Sequence, residues 1–139
     1  MMMNRLPYLM KILGRVVLNR IHWRGPLILS HLVTGHCNCR CESCLWRNNA
    51  SEDLALDEIK LLYKDARDLG YLINFMWGGE PLLREDIPEV LKYSQEMGLI
   101  NVINTNGWFL EERLSDIGPY TDSFIAVSYT HLTLPTNRE

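Results

Sequence analysis

The chain has 139 residues, 47% of them hydrophobic, which is enough to bury one core and falls within the usual size of one domain. The formal net charge is -3 at pH 7, yet residues 1 to 30 carry five basic side chains and no acidic one, so the remainder sums to -8. This acidic remainder, without basic residues interleaved among aromatic ones, argues against nucleic-acid binding. No apolar run approaches the roughly 20 residues that span a bilayer.

Residues 1 to 25 form the first predicted unit, an amphipathic helix with a basic face. Lys11 and Arg15 interrupt its apolar residues, so the unbroken core of a secretory signal is missing. We expect this helix to pack on the domain rather than on a membrane surface or a partner. The apolar run that follows, residues 26 to 33, predicts a buried first strand.

Strand and helix patterns then alternate along the chain. Asp57 is a candidate cap for a helix that Gly70 ends, and a second helix runs from Asp86 to Gly98. Further strands are predicted at residues 71 to 77, 99 to 104 and 123 to 127, with a third helix at 109 to 118. This alternation predicts an α/β fold of parallel strands with right-handed crossovers, in either a doubly wound sheet or a TIM-type barrel.

Both architectures place functional residues at the carboxyl ends of the strands. Three unusual loops occupy those positions. The cysteine run "GHCNCRCESC" follows the first strand, "GGEP" follows the second and "TNG" follows the third. We therefore expect the three loops to meet at one edge of the sheet.

The last twelve residues, 128 to 139, resemble a translated sequencing adaptor rather than natural sequence. A complete parallel barrel needs about 250 residues. We therefore expect residues 26 to 127 to be an incomplete core domain, truncated after about four strands.

All four cysteines of the chain lie within eight positions, at Cys37, Cys39, Cys41 and Cys44. Disulfides that stabilise small secreted domains join distant parts of a chain, so a reducing, cytoplasmic setting with a metal site is the better interpretation. Zinc sites usually combine two separated cysteine pairs, which makes a zinc ion possible but strained here. An iron–sulfur cluster is the other option, because a compact loop can wrap several irons.

Without Cys39 the spacing is Cys37-x3-Cys41-x2-Cys44, preceded by Thr34. This motif after a first strand resembles that of the radical S-adenosylmethionine (SAM) enzymes. The resemblance implies that these three thiolates hold a [4Fe–4S] cluster and leave one iron open for SAM. It also implies a partial TIM-type barrel. Cys39 is then expected to act as a small buried hydrophobe.

The two other loops match the same family. Gly78, Gly79, Glu80 and Pro81 resemble the family's "GGEP", which binds the amino group of SAM, and Thr105, Asn106 and Gly107 resemble its "TNG" near bound SAM. Glycines let a backbone approach a ligand closely, and carbonyls or a carboxylate can accept from an ammonium group. "NG" is also a common turn sequence.

The resemblance implies an enzyme that reductively cleaves SAM to a 5′-deoxyadenosyl radical, which abstracts hydrogen from an unidentified substrate. The substrate is a peptide or small molecule, with peptide or cofactor maturation as the suggested role, and flavodoxin or ferredoxin is the expected electron donor. Two alternatives remain open. One is a non-enzymatic zinc or iron–sulfur module, and the other is an inactive truncated fragment.

Overall fold

The computed structural model describes residues 10, 12–14, 16–18, 21, 26–41, 44 and 52–126. Its four strands form one parallel sheet: β1 (Ile28–Thr34), β2 (Ile73–Gly78), β3 (Ile100–Thr105) and β4 (Ser123–Ala126). Three helices connect them: α1 (Leu56–Asp68), α2 (Ile87–Glu96) and α3 (Leu110–Ile117). Short 3-10 turns at Pro81–Leu83 and Gly118–Tyr120 complete the connections.

The strand order distinguishes the two predicted architectures. The strands lie side by side in chain order, β1-β2-β3-β4. A doubly wound sheet reverses its order at a switch point, whereas a barrel adds each new strand beside the last one. With right-handed crossovers, the observed order places all connecting helices on one face. The fold is therefore part of a TIM-type barrel whose sheet is not closed, as the resemblance implied.

The core lies between that face of the sheet and the helices. The helices contribute side chains spaced about one turn apart, such as Ile59 and Tyr63 of α1. The strands contribute side chains that are neighbours across the sheet, such as Met76 of β2 and Ile103 of β3. These residues belong to a single buried cluster: Val33, Ile59, Tyr63, Met76, Leu82, Ile87, Val90, Leu91, Leu99, Ile103 and Ile117. This packing holds the carboxyl ends of the strands in register beside one another.

The helix boundaries largely follow the predicted signals, with one correction. Gly70 and Gly98 end α1 and α2 with φ of 90° and 78°, the left-handed conformation that glycine adopts without strain. The cap predicted at Asp57 is wrong, because α1 begins at Leu56 and its N-cap is Ala55, two residues before Asp57. The Ala55 backbone N–H donates to Glu58 Oε2 at 2.8 Å. Asp57 lies in the first turn, where a negative charge is favourable beside the helix N-terminus.

Several predictions fall partly or wholly on residues outside the described set. The described residues among positions 10 to 21 are helical, but all five basic side chains of the predicted amino-terminal helix lie outside that set. The same holds for residues 127 to 139, which include the adaptor-like segment. In the part of the chain that the structure describes, no helix is both long and apolar enough to cross a membrane.

A histidine on β1 is buried against helix α1. His31 on β1 is 5% exposed, and its Nδ1 lies 2.8 Å from the Tyr63 hydroxyl. Its Nε2 is buried without a hydrogen-bond partner among the described residues. Burial first, and then the positive charge of Arg84, lower the pKa of His31 from 6.5 to about 4. The imidazole is therefore neutral at physiological pH, and we assign it a structural role in the core.

This burial predicts a specific pH dependence of stability. Between about pH 6.5 and pH 4 the unfolded chain takes up a proton that folded His31 refuses, so stability falls as the pH falls through this window. The full loss from this one group is about 3 kcal/mol. In His31→Phe, the urea-derived free energy of unfolding should fall less steeply across the window, even though the variant is less stable at pH 7. His36→Gln, which leaves the buried pair intact, should keep the wild-type slope, and an unchanged slope in His31→Phe would contradict the prediction.

Candidate active site

The three motif loops meet at the carboxyl edge of the sheet, as their positions after the strands predicted. Thr34 ends β1, and its carbonyl oxygen accepts the Gly79 N–H at 2.9 Å. The His36 carbonyl accepts the Glu80 N–H at 2.7 Å. These two backbone hydrogen bonds fasten the "GGEP" loop directly to the start of the cysteine loop.

Gly78 and Gly79 are required by this contact. A Cβ on Gly79 would lie 2.0 Å from the His36 carbonyl oxygen, and one on Gly78 would lie 2.3 Å from the Thr34 carbonyl oxygen. Gly78 also has a φ of 146°, which side chains of L-residues rarely adopt. Both glycines therefore permit a close approach to the backbone of the chain's own cysteine loop.

The Glu80 side chain is fully buried and accepts hydrogen bonds from three donors. Its Oε1 accepts the Leu82 N–H at 3.0 Å and the Thr105 hydroxyl at 2.7 Å, and its Oε2 accepts the Asn106 N–H at 2.7 Å. Burying an ionised carboxylate costs free energy unless hydrogen-bond donors replace the water that it loses, and these three donors do so. The Glu80 carboxylate thus joins the second motif loop to the third.

Asn106 extends the connection to the cysteine loop. Its Oδ1 accepts the Trp108 N–H at 2.9 Å, which assigns the oxygen and nitrogen of the amide. Its Nδ2 donates to Asn38 Oδ1 at 2.8 Å and to Cys39 Sγ at 3.5 Å. All three motif loops therefore belong to one hydrogen-bonded assembly, in which Thr105 and Asn106 contact protein groups.

The four cysteines beside this assembly are free thiols that differ in exposure. Cys37 and Cys44 are exposed, whereas Cys39 and Cys41 are partly buried. Partial desolvation by the loop raises the pKa of Cys37, and the Glu80 carboxylate adds to the rise, while a hydrogen bond from the Cys39 N–H to Cys37 Sγ at 3.4 Å opposes it. Desolvation likewise raises the pKa of Cys39.

The donor set fits a cluster better than a single ion. Among the described residues, which include all four cysteines, no three His, Cys, Asp or Glu side chains converge to hold one metal ion. Ligands of a single zinc must converge on one point, whereas each thiolate of a four-iron cluster binds its own iron. The thiols of Cys41 and Cys44 lie near enough to Cys37 to add to the rise of its pKa, so the three are close together without meeting at one point, which matches the second requirement.

Two supporting residues were not singled out from the sequence. Arg84 donates to the carbonyls of Val33 and Leu54, at 2.9 and 2.7 Å, and pairs with Asp86, so it ties the segment after "GGEP" to the end of β1. Asp53 Oδ1 accepts the Gly35 N–H at 3.0 Å, just before the first cysteine of the motif. Neither residue has a diagnostic spacing, because the backbone groups that it binds are distant in sequence.

Comparison with known proteins gives curated relatives along most of the chain. The Fe-coproporphyrin III synthase of Methanosarcina barkeri is 32% identical over 112 residues, covering 76% of this chain and 27% of that protein. The PqqA peptide cyclase of Bradyrhizobium diazoefficiens is 27% identical over 108 residues, covering 75% of this chain and 28% of that protein. The chain thus spans about a quarter of the length of these relatives.

Solved structures share the fold. BtrN in complex with AdoMet and 2-DOIA superposes with a TM-score of 0.65 at 22% identity, covering 75% of this chain and 46% of that one. Streptococcus suis SuiB bound to its precursor peptide SuiA gives a TM-score of 0.61 at 21% identity, covering 89% of this chain and 29% of that one. No protein-family model matches the chain. These relatives and structural neighbours are radical SAM enzymes, and the chain belongs to that superfamily, matching the amino-terminal part of its core domain.

Proposed function

We propose that this chain supplies the cluster-binding and SAM-binding part of a radical SAM enzyme. A [4Fe–4S] cluster and SAM are the cofactors typical of the family. The observation that supports this role most directly is the Cys37-x3-Cys41-x2-Cys44 loop, whose free thiols sit beside the "GGEP" loop that two backbone hydrogen bonds hold in place. In this proposal the three cysteines ligate the cluster. When bound, the cluster and SAM supply reductive cleavage to a 5′-deoxyadenosyl radical, which removes hydrogen from substrate.

The "GGEP" loop has a narrower role in this proposal than its resemblance implied. The Glu80 carboxylate already accepts three hydrogen bonds and is fully buried. We therefore assign the SAM ammonium group to the backbone carbonyls of Gly78 and Gly79, because those of Glu80 and Pro81 already accept the Leu83 and Arg84 N–H groups. In this proposal Gly107 also contacts SAM. Thr105 and Asn106 do not contact SAM; their hydrogen bonds to Glu80 and Asn38 hold the SAM-binding loops in place.

A peptide is the substrate class that we favour for the complete enzyme. A relative named PqqA peptide cyclase and a structural neighbour bound to a precursor peptide support this choice. Flavodoxin or ferredoxin would deliver the electron. Free thiols in all four cysteines suit a reducing, cytoplasmic compartment.

The proposal is tested by anaerobic reconstitution of the 139-residue chain with iron and sulfide. We expect about four irons per chain and a change in the electron paramagnetic resonance spectrum of the reduced cluster when SAM is added. Incubation with SAM and dithionite should then release 5′-deoxyadenosine.

Each alternative gives a different result. A zinc module would bind zinc and form no SAM-responsive cluster. An inactive fragment would bind the cluster and SAM without releasing 5′-deoxyadenosine. A full cluster whose spectrum ignores SAM would overturn the assignment of an open iron site.

A further inference from the structure

We propose that Asn106 is a positioning residue that tunes the reduction potential of the cluster, an inference that rests on the proposed function. It acts by holding the Asn38–Cys39 segment against the third motif loop, so that the Cys39 N–H points at the sulfur of Cys37. The role differs from contact with SAM, because every polar group of the Asn106 side chain has a protein partner.

The anchoring of Asn106 makes it a fixed support. Its backbone N–H donates to the buried Glu80 carboxylate, and its side-chain oxygen accepts the Trp108 N–H. The amide nitrogen can then project only toward the cysteine loop. There its two hydrogens are used on two consecutive residues, Asn38 and Cys39.

The segment that is held this way carries a donor to a proposed cluster ligand. The Cys39 N–H lies 3.4 Å from Cys37 Sγ. A hydrogen bond to a ligand sulfur stabilises the more negative, reduced cluster and raises its potential. Cys39 therefore contributes its backbone to the site, while its thiol serves as an acceptor for Asn106.

The first measurement is the midpoint potential of the reconstituted chain without SAM, from a dithionite titration followed by electron paramagnetic resonance. Asn106→Ala should shift the potential to a more negative value at unchanged iron content. Asn38→Ala, which removes one of the two contacts, should give a smaller shift of the same sign. The matched control is Asn104→Ala, two residues earlier on β3, whose amide oxygen has no partner among the described residues. It should leave the potential unchanged.

The second measurement needs no cluster. In the metal-free chain, alkylation of Cys39 by iodoacetamide, followed per cysteine by mass spectrometry, should slow about fivefold in Asn106→Ala. The Asn106 amide donates to Cys39 Sγ and so stabilises the reactive thiolate, and one hydrogen bond of about 1 kcal/mol corresponds to this factor. Equal potentials and equal alkylation rates in wild type and Asn106→Ala would overturn the inference. If Asn106→Ala binds no cluster, the inference is decided by the midpoint potential of Asn38→Ala and by the alkylation rates of the metal-free chains. If Asn106→Ala shifts the midpoint potential while the wild-type cluster gives no spectral response to SAM, the proposed function is refuted and this inference stands.

Discussion

Replacing Gly79 with alanine is expected to lower the free energy of unfolding by about 3 kcal/mol. The added Cβ would lie 2.0 Å from the His36 carbonyl oxygen, 2.4 Å from its carbon and 3.0 Å from the Cys37 nitrogen. These are backbone atoms, which cannot move aside as a flexible side chain can. Relief requires the "GGEP" loop and the cysteine loop to separate, which breaks the hydrogen bonds that Gly79 and Glu80 donate.

Gly14→Ala provides the matched control. Gly14 lies in the helical segment near the amino terminus, and an added Cβ there would meet no heavy atom of the described residues within 4 Å. Alanine there should leave stability unchanged or raise it by roughly 0.5 kcal/mol, because the unfolded chain loses freedom. Urea unfolding of the three proteins measures both effects. A Gly79→Ala variant within 1 kcal/mol of wild type, on the scale of an ordinary surface substitution, would show that the two loops are not packed as described.

The cysteines should divide into three essential ligands and one dispensable residue. Alanine at Cys37, Cys41 or Cys44 removes a proposed ligand, and we expect iron content after reconstitution to fall to about a tenth of wild type or less. Alanine at Cys39 keeps the backbone N–H that donates to Cys37 Sγ, and removes a thiol that contacts Cys37 and accepts from Asn106. That variant should retain full iron content and its response to SAM.

Iron and sulfide analysis, together with the spectrum before and after SAM, separates the four variants. Loss of the cluster in Cys39→Ala together with its retention in Cys44→Ala would show that the ligand set is wrong. Loss in all four would indicate a four-thiolate site without the open iron that SAM requires.

Much of the local structure was predictable because it depends on neighbours in sequence. Gly70 and Gly98 stop helices through their own backbone conformation, and the spacing of Ile59, Tyr63 and Ala66 marks the buried face of α1. The Asp57 cap failed since a polar residue in the first turn resembles a cap in sequence, and only the hydrogen bond from Ala55 to Glu58 shows where the helix begins.

The buried polar residues were not predictable in the same way. Asn74 and Asn101 occupy strand positions that face the helices, where an apolar residue is the usual expectation. Asn74 bonds Ser94 on α2, and Asn101 bonds the carbonyls of Leu91 and Tyr120. These partners lie 10 to 20 residues away along the chain, so no local pattern indicates them.

The sequence by itself determined the order of strands and helices, the presence of three motif loops at strand ends and the spacing of Cys37, Cys41 and Cys44, because all of these are properties of short segments. The strand and helix pattern left a barrel and a doubly wound sheet open; the motif resemblance implied the barrel, and the strand order shows it, since that choice depends on which strands become neighbours. Tertiary structure alone decided what Gly79, Glu80 and Asn106 do. Each contacts a loop that lies far away in sequence, and only the folded sheet brings those loops within hydrogen-bond distance.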